Sequence, residues 1–242
     1  MDETLDSLPF GDLRLLQSKS GYRYSLDPIL LARFIKPRRW ERVVDLGTGS
    51  GVLPLVLARI TQARELIGIE LQDSMAERAL RNVKLNDLQG RVQICHGDIR
   101  SIEDLLTAGI ADLVVSNPPY RGVGSGRVAP GDERAAARHE MAGGLQDFVC
   151  AARWLLKYGG VFSVIYLAER LPELIVCLTQ CGLEPKRIRL VHPCSEEPAK
   201  MVMVEARKGG KPGVEVCPPL AIYRDCGLGR EYSEDILRMY EM

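Results

Sequence analysis

The chain has 242 residues, 46% of them hydrophobic and 26% charged, with acidic and basic side chains in equal number and a formal net charge of zero. That profile fits one generously sized globular domain and argues against a protein that coats nucleic acid indiscriminately. No apolar run approaches the roughly 20 residues needed to span a bilayer, and the acidic start at Met1-Asp2-Glu3 lacks the basic, apolar profile of a secretory signal.

Leu13 to Gln17 reads as a short strand, and Gly21 opens a turn into Tyr22-Arg23-Tyr24-Ser25-Leu26. Asp27-Pro28 is a helix start, with an acidic cap, proline at the first helical position and Ile29, Leu30, Leu31 and Phe34 behind it. Pro37 stops that helix. From Val43 a short apolar run ends in Asp45, and Gly47, Gly49 and Gly51 follow at alternate positions. An apolar helical pattern then runs from Val52 to Ile60. This is a buried strand, a tight turn and a helix start: glycine accepts positive φ, and the helix N-terminus offers unpaired N–H groups. Glu65 to Glu70 is a second strand ending in an acid, followed by a helix from about Asp73 to Asn86. Arg91 to His96 is a third strand, closed by Gly97-Asp98. Ala111 to Ser116 is a fourth, and it delivers Asn117-Pro118-Pro119-Tyr120 at its tip.

Between Tyr120 and about Gly144 glycines alternate with Arg121, Arg127, Arg134 and Arg138. So long a loop is functional or unstructured, and beside Asn117 it reads as a basic substrate flap. Leu145 to Tyr158 is helical up to Gly159-Gly160, Val161 to Leu167 is a fifth strand, and Glu169 to Cys181 is a helix. Pro185 to His192 and Lys200 to Arg207 are the last two strands, paired as a hairpin. A tail through Gly209, Pro218 and Tyr223 leads to a terminal helix from Ser233. Strands alternating with helices imply an α/β fold with a parallel sheet, and ligands bind at the carboxyl ends of such strands. The chain divides into an N-terminal cofactor-closing extension (1–40), a catalytic core (41–208) and a C-terminal tail (209–242).

The seven cysteines include no C-x-x-C pair and are odd in number, so a disulfide framework is not expected and a reduced, cytoplasmic protein is. Cys177 and Cys181, one helical turn apart, read as a packed face. No metal site is indicated, because His96 and His192 lack a second ligand at metal spacing. The basic residues cluster at Lys36, Arg38, Arg39 and Arg42, at Lys186, Arg187 and Arg189, and at Arg207, Lys208 and Lys211. Such clusters are either solvated faces or phosphate contacts.

The glycine spacing separates two kinds of pocket. A dinucleotide fingerprint needs glycine where Val52 stands. Asp45, just ahead of the turn, would also repel a pyrophosphate, yet it can accept from an ammonium or hydroxyl. Asp45-Leu46-Gly47-Thr48-Gly49-Ser50-Gly51 therefore resembles the first motif of class I S-adenosylmethionine (SAM) methyltransferases. Glu70, with Leu71, is placed for the ribose, whose two hydroxyls can each donate to one carboxylate oxygen. Asp98, after Gly97, can accept from the adenine amine while Ile99 packs on the ring; it also suits a helix cap. Asn117 and Pro118 place an amide oxygen and a carbonyl where both can accept from an exocyclic amine and draw it toward a reactive, pyramidal shape. Pro119 stiffens the backbone behind them, and Tyr120 can stack on a planar target.

With Asn117-Pro118-Pro119-Tyr120 the chain resembles the amino-methylating class I enzymes. Gly21-to-Asp27, Ala137-Arg138-His139-Glu140, Lys208-to-Gly213 and Pro218-to-Tyr223 extend the similarity to the bacterial valine-tRNA adenine-N6 methyltransferase family, over nearly the whole chain. The resemblance implies a Rossmann-like sandwich whose seven-stranded, mostly parallel sheet has one antiparallel strand and helices on both faces. It implies SAM as cofactor, S-adenosylhomocysteine as product, and RNA, most plausibly tRNA, as partner, with no DNA and no membrane. The target implied is the N6 amine of the adenine just 3′ of the anticodon. Tyr22, Ser25 and Asp27 would close over the methionine end of SAM, Asp27 being alternatively only a cap. Arg138, His139 and Glu140 would line the base-entry side or alternatively form only a helix start, and Arg121 would be a further substrate contact. The alternatives are glutamine methylation of a release factor, whose enzymes carry a helical N-terminal domain for which the stretch before Val43 leaves no room, and a non-catalytic SAM-binding scaffold.

Overall fold

The computed structural model describes residues 3–8, 10, 12–19, 25–119, 143–227 and 231–240. Its frame is one mixed sheet. β3 (Arg42–Leu46), β4 (Glu65–Glu70), β5 (Val92–His96), β6 (Ala111–Ser116), β7 (Leu156–Leu167), β8 (Leu183–His192) and β9 (Met201–Lys208) lie side by side in the order β8-β9-β7-β6-β3-β4-β5. All neighbours pair in parallel except β9, which runs antiparallel to both β7 and β8. These are the seven strands and the single reversed strand that the resemblance implies. Two short strands, β10 (Glu215–Val216) and β11 (Leu220–Ala221), add to β8 in parallel.

Side-chain alternation divides the apolar residues of the strands between two cores. Val43, Leu113, Val115, Val161 and Ile165 face one layer, made by α1 (Asp27–Phe34) and α2 (Val52–Ile60). Val44, Val114, Phe162, Val164 and Tyr166 face the other, made by α5 (Leu145–Leu155) and α6 (Leu171–Gln180). α2 is buried along almost its whole length, from Val52 to Ala58, which explains an apolar pattern too continuous for a surface helix. α3 (Asp73–Leu85) joins β4 to β5, and a 3₁₀ turn at Ile99–Ser101 runs into the short α4 (Ile102–Leu105) before β6.

The structure departs from the sequence reading in four places. β1 (Glu3–Leu8) pairs antiparallel with β2 (Leu13–Ser18), so the N-terminal strand belongs to a hairpin. α1 takes Leu26 as its N-cap, so Asp27 is the first helical residue and not the cap. α5 ends at Leu155 and β7 begins at Leu156, so Gly159 and Gly160 lie within a strand and do not terminate the helix. Finally, Cys194 and Cys226, 32 residues apart, are joined in a disulfide with their Cα atoms 5.6 Å apart, against the expectation of unpaired cysteines. The bridge fastens the β8–β9 connection to the C-terminal tail. That tail continues through a Tyr223–Tyr232 bridge into α7 (Glu234–Tyr240), which packs back on α1. Among the described residues no helix is long and apolar enough to cross a membrane.

Candidate active site

The carboxyl ends of β3, β4, β5 and β6 meet at one rim. Gly47 and Thr48 both donate their backbone N–H to Ile69 O at 2.9 Å, which folds the glycine turn back over β4. Gly47, Gly49 and Gly51 have φ of +71°, +59° and +84°, the left-handed region that glycine enters without steric cost. A Cβ on Gly47 would press on the Phe148 ring at 3.1 Å and one on Gly51 on Ala79 at 3.2 Å, whereas one on Gly49 would meet nothing within 4 Å. The middle of the turn is therefore the point where another molecule can approach the backbone. Thr48 lies over Gly68 so closely that a Cβ there would fall 2.8 Å from it.

Glu70 is buried, and its two oxygens accept from Gly49 N at 2.8 Å and Gln72 N at 2.9 Å. Burial pushes its pKa up while these backbone donors hold it down. A carboxylate offers about four acceptor sites, so Glu70 keeps the capacity to accept a hydroxyl beside its backbone donors. Asp45 is only 3% exposed, and neither its Oδ2 nor Thr48 Oγ1 makes a hydrogen bond of normal geometry. Burial pushes Asp45 up to about 7; the nearby Thr48 hydroxyl offsets part of this and the Glu70 charge adds to it. Two buried polar groups without partners beside an open glycine turn are what a ligand carrying donors would satisfy. The pairing of an acceptor at Asp45 with the remaining acceptor capacity of Glu70 fits the ammonium and a ribose hydroxyl of SAM, and Gly49 leaves the room.

Asn117 is half-buried and Pro118 buried, at the end of a β6 strand that Ser116 fastens to β3 by donating from Oγ to Leu46 O at 2.8 Å. This puts Asn117 and the glycine turn on neighbouring strand ends. Gly97 donates to Glu70 O at 2.9 Å, and a Cβ on it would lie 2.6 Å from Leu105. Asp98 caps the 3₁₀ turn by accepting from Arg100 N at 2.9 Å and is ion-paired with the Arg100 guanidinium, which lowers its pKa. Ile99 is buried in the α5 core, and Leu71 is half-buried with its carbonyl 3.0 Å from His96 Nε2. Ser25 Oγ donates to Asp27 Oδ2 at 2.8 Å. Tyr22, Tyr120, Arg121, Arg138, His139 and Glu140 lie outside the described residues.

One residue escaped the sequence reading. Asn82, fully buried on α3, donates from Nδ2 to Ser50 O at 2.9 Å and to Leu16 O at 3.2 Å, and accepts from Leu16 N at 2.7 Å. It ties the glycine turn to the N-terminal hairpin, while Asn86 does the same for Arg14. The available signal was a pair of asparagines one turn apart on the apolar face of a helix. Of possible metal-binding groups among the described residues, only Cys194, Glu197 and Cys226 cluster within 4.8 Å, and there the two sulfurs are bonded to each other.

Residues 27–173 match the family described as methyltransferase small domain. A tRNA1(Val) (adenine(37)-N6)-methyltransferase of Porphyromonas gingivalis is 34% identical over 170 residues, 69% of this chain and 66% of that protein, so the chain spans just under two thirds of that relative. One of the same name from Tolumonas auensis is 28% identical over 84% of both chains. Among solved structures, a predicted O-methyltransferase from Agrobacterium tumefaciens superposes with a TM-score of 0.68 at 25% identity, over 88% of this chain and 95% of that one. The T. thermophilus 16S rRNA N2 G1207 methyltransferase, solved with AdoMet and guanosine, gives 0.59 at 22% identity over 85% of this chain and 50% of that one, a likeness of fold. A family match over most of the chain, a sheet with a single reversed strand and a glycine turn of this geometry converge: the chain belongs to the small-domain methyltransferase family and has the class I methyltransferase fold.

Proposed function

We propose that the enzyme methylates the exocyclic N6 amine of adenine in RNA, at the anticodon-loop adenine 3′ of the anticodon in a tRNA, and works in the cytoplasm. The observation that carries this reading is Asn117-Pro118 at the end of β6, locked beside the glycine turn through Ser116 and Leu46. The relatives whose names state a tRNA adenine-N6 activity support the substrate.

Bound SAM supplies an electrophilic sulfonium methyl; Asp45, the Gly47–Gly51 turn, Glu70, Asp98, Ser25 and Asp27 are the residues that hold it. An adenine amine is a weak nucleophile because its lone pair is delocalised into the ring. Asn117 Oδ1 and the Pro118 carbonyl accept its two hydrogens and draw the nitrogen toward a pyramidal shape. The acceptors are preorganised, since buried Pro118 and the anchored strand end leave them little freedom. Asn117 takes no proton. The methylated amine is acidic enough to lose its extra proton to water, so no general base is needed. Tyr120 stacks on the base, and Arg121, Arg138 and His139 guide it in. An unpaired loop base costs less to extrude than one in a duplex.

The test is methyl transfer from labelled SAM into RNA, DNA and protein from cells lacking the enzyme. N6-methyladenosine in tRNA is expected, with transfer by Asn117→Ala reduced roughly 100-fold or more. Label on protein glutamine would replace this reading with release-factor methylation. SAM binding with no label anywhere would point to a missing partner or to a scaffold.

A further inference from the structure

A cavity of about 90 Å³ opens between the segment linking α1 to β3 and strands β6, β7 and β9. None of the residues of the methyl-transfer rim lines it, although Ser163 pairs with Val115, two positions before Asn117. The cavity floor contains Trp40 and Ser163, 3% and 0% exposed. Trp40 Nε1 and Ser163 Oγ are both buried without a hydrogen-bond partner. Orphaned buried donors are rare and costly, so two in one small cavity call for a ligand that accepts.

The rim specifies the charge of that ligand. Lys36, Arg38 and Arg207 are exposed around the opening, and among the described residues no ion pair neutralises any of them. Arg38 lies over the Trp40 ring at 3.8 Å. Burial lowers its pKa, and so does the Arg207 charge, against a weaker opposing pull from Glu205 and Asp112. Glu205, the one acid in the lining, is ion-paired with buried Arg187 at 3.2 Å. Tryptophan, lysine and arginine offer donors only, and two guanidinium groups can grip an oxyanion through paired N–H bonds. A cation is excluded by the charge, and an apolar molecule would leave the donors unmet.

We propose that this pocket binds a phosphate-type oxyanion through Arg38, Arg207 and Lys36, with Trp40 Nε1 and Ser163 Oγ donating from below. The source we favour is a backbone phosphate of the RNA substrate, a choice that rests on the function proposed above. A free phosphate or phosphorylated small molecule has the same chemistry, and the experiment separates the two.

Inorganic phosphate is titrated at constant ionic strength into the full chain carrying Trp154→Phe, so that fluorescence reports Trp40. A saturable change is expected, weakened by roughly 10-fold or more in Arg38→Gln/Arg207→Gln, as loss of charge-assisted hydrogen bonds implies. Ser163→Ala, which leaves the rim intact, should weaken it several-fold with no fall in thermal midpoint; this variant guards against misfolding of the double mutant. In a second arm, tRNA affinity is measured against salt. The slope of log K on log salt should become shallower by about 1 in the double variant if one RNA phosphate sits there. Phosphate binding with an unchanged slope keeps the site and overturns RNA as its source. No saturable phosphate response in the folded protein overturns the site itself. The phosphate arm uses no RNA, so it fails or succeeds independently of the tRNA assignment.

Discussion

Asp45 holds a proton in the folded, ligand-free chain across a pH range where the unfolded chain has lost it. Its pKa is raised from an unfolded value near 3.8 to about 7 by burial. Its contribution to stability is therefore complete below the unfolded pKa and disappears as pH rises through about 7. The thermal midpoint of the SAM-free protein should fall by several degrees between about pH 4 and 7.5, and Asp45→Asn should flatten that slope. SAM affinity should move the other way, since only the carboxylate can pair with an ammonium. Calorimetry across pH 6–8 would show wild-type affinity rising and the Asn variant level; a level wild type would place the proton elsewhere. Glu70 gives a second test at this scale. Glu70→Ala should weaken SAM roughly 10–100-fold, the worth of one or two hydrogen bonds to a charged group. Glu70→Gln, which keeps one acceptor for the Gly49 and Gln72 amides, should lose less.

The parallel strands, their order of appearance and the rim acids were legible because each apolar run ends in a chemically distinctive residue: Asp45, Glu70, Gly97-Asp98 or Asn117. The N-terminal hairpin was not. β1 has only Leu8 buried, so its alternation is faint, and what holds it comes from far along the chain. Glu3 accepts from Arg78 at 3.0 Å and from Arg81 at 2.7 Å, and these arginines lower Glu3 to about 2. That contribution is present above the unfolded pKa near 4.5 and is lost as pH falls toward about 2. Acid should therefore loosen β1 from α3, seen as faster amide exchange at residues 3–8, and Glu3→Gln should show the same loosening at neutral pH. Asn82 is the other long-range tie. Asn82→Ala leaves Ser50 O and both backbone groups of Leu16 without side-chain partners and should cost about 2–4 kcal/mol in urea unfolding, with SAM binding weakened because the glycine turn loses its anchor. Gly159 and Gly160 misled because glycine commonly ends helices, but here Gly159 takes a φ of +76° and a Cβ on Gly160 would lie 2.9 Å from Lys157 O.

At the scale of the whole molecule, the tail binds distant elements together. β10 and β11 lengthen the sheet beside β8, Arg33 on α1 donates to Met239 O at 2.7 Å, and the Phe10 and Tyr240 rings lie 5.8 Å apart. The Cys194–Cys226 bridge closes the loop that carries β10 and β11. Neither cysteine advertised the other, because partners 32 residues apart follow no spacing rule. Cys226→Ser should cost about 2–4 kcal/mol, read as a lower urea midpoint under oxidising conditions and no difference from wild type once both are reduced. Net charge zero with clustered arginines also predicts that transfer to tRNA falls steeply with added salt; turnover on RNA indifferent to salt would count against electrostatic docking.

The same bridge has a mechanical meaning. A covalent ring closed between residues 32 positions apart cannot be pulled out from its two ends. Stretched between its termini in an optical trap, the oxidised chain should reach full extension about 110 Å short of the reduced chain, at some 3.5 Å per residue. All of β9 lies inside that ring, so the reversed strand of the sheet would be shielded from tension until the sulfurs part.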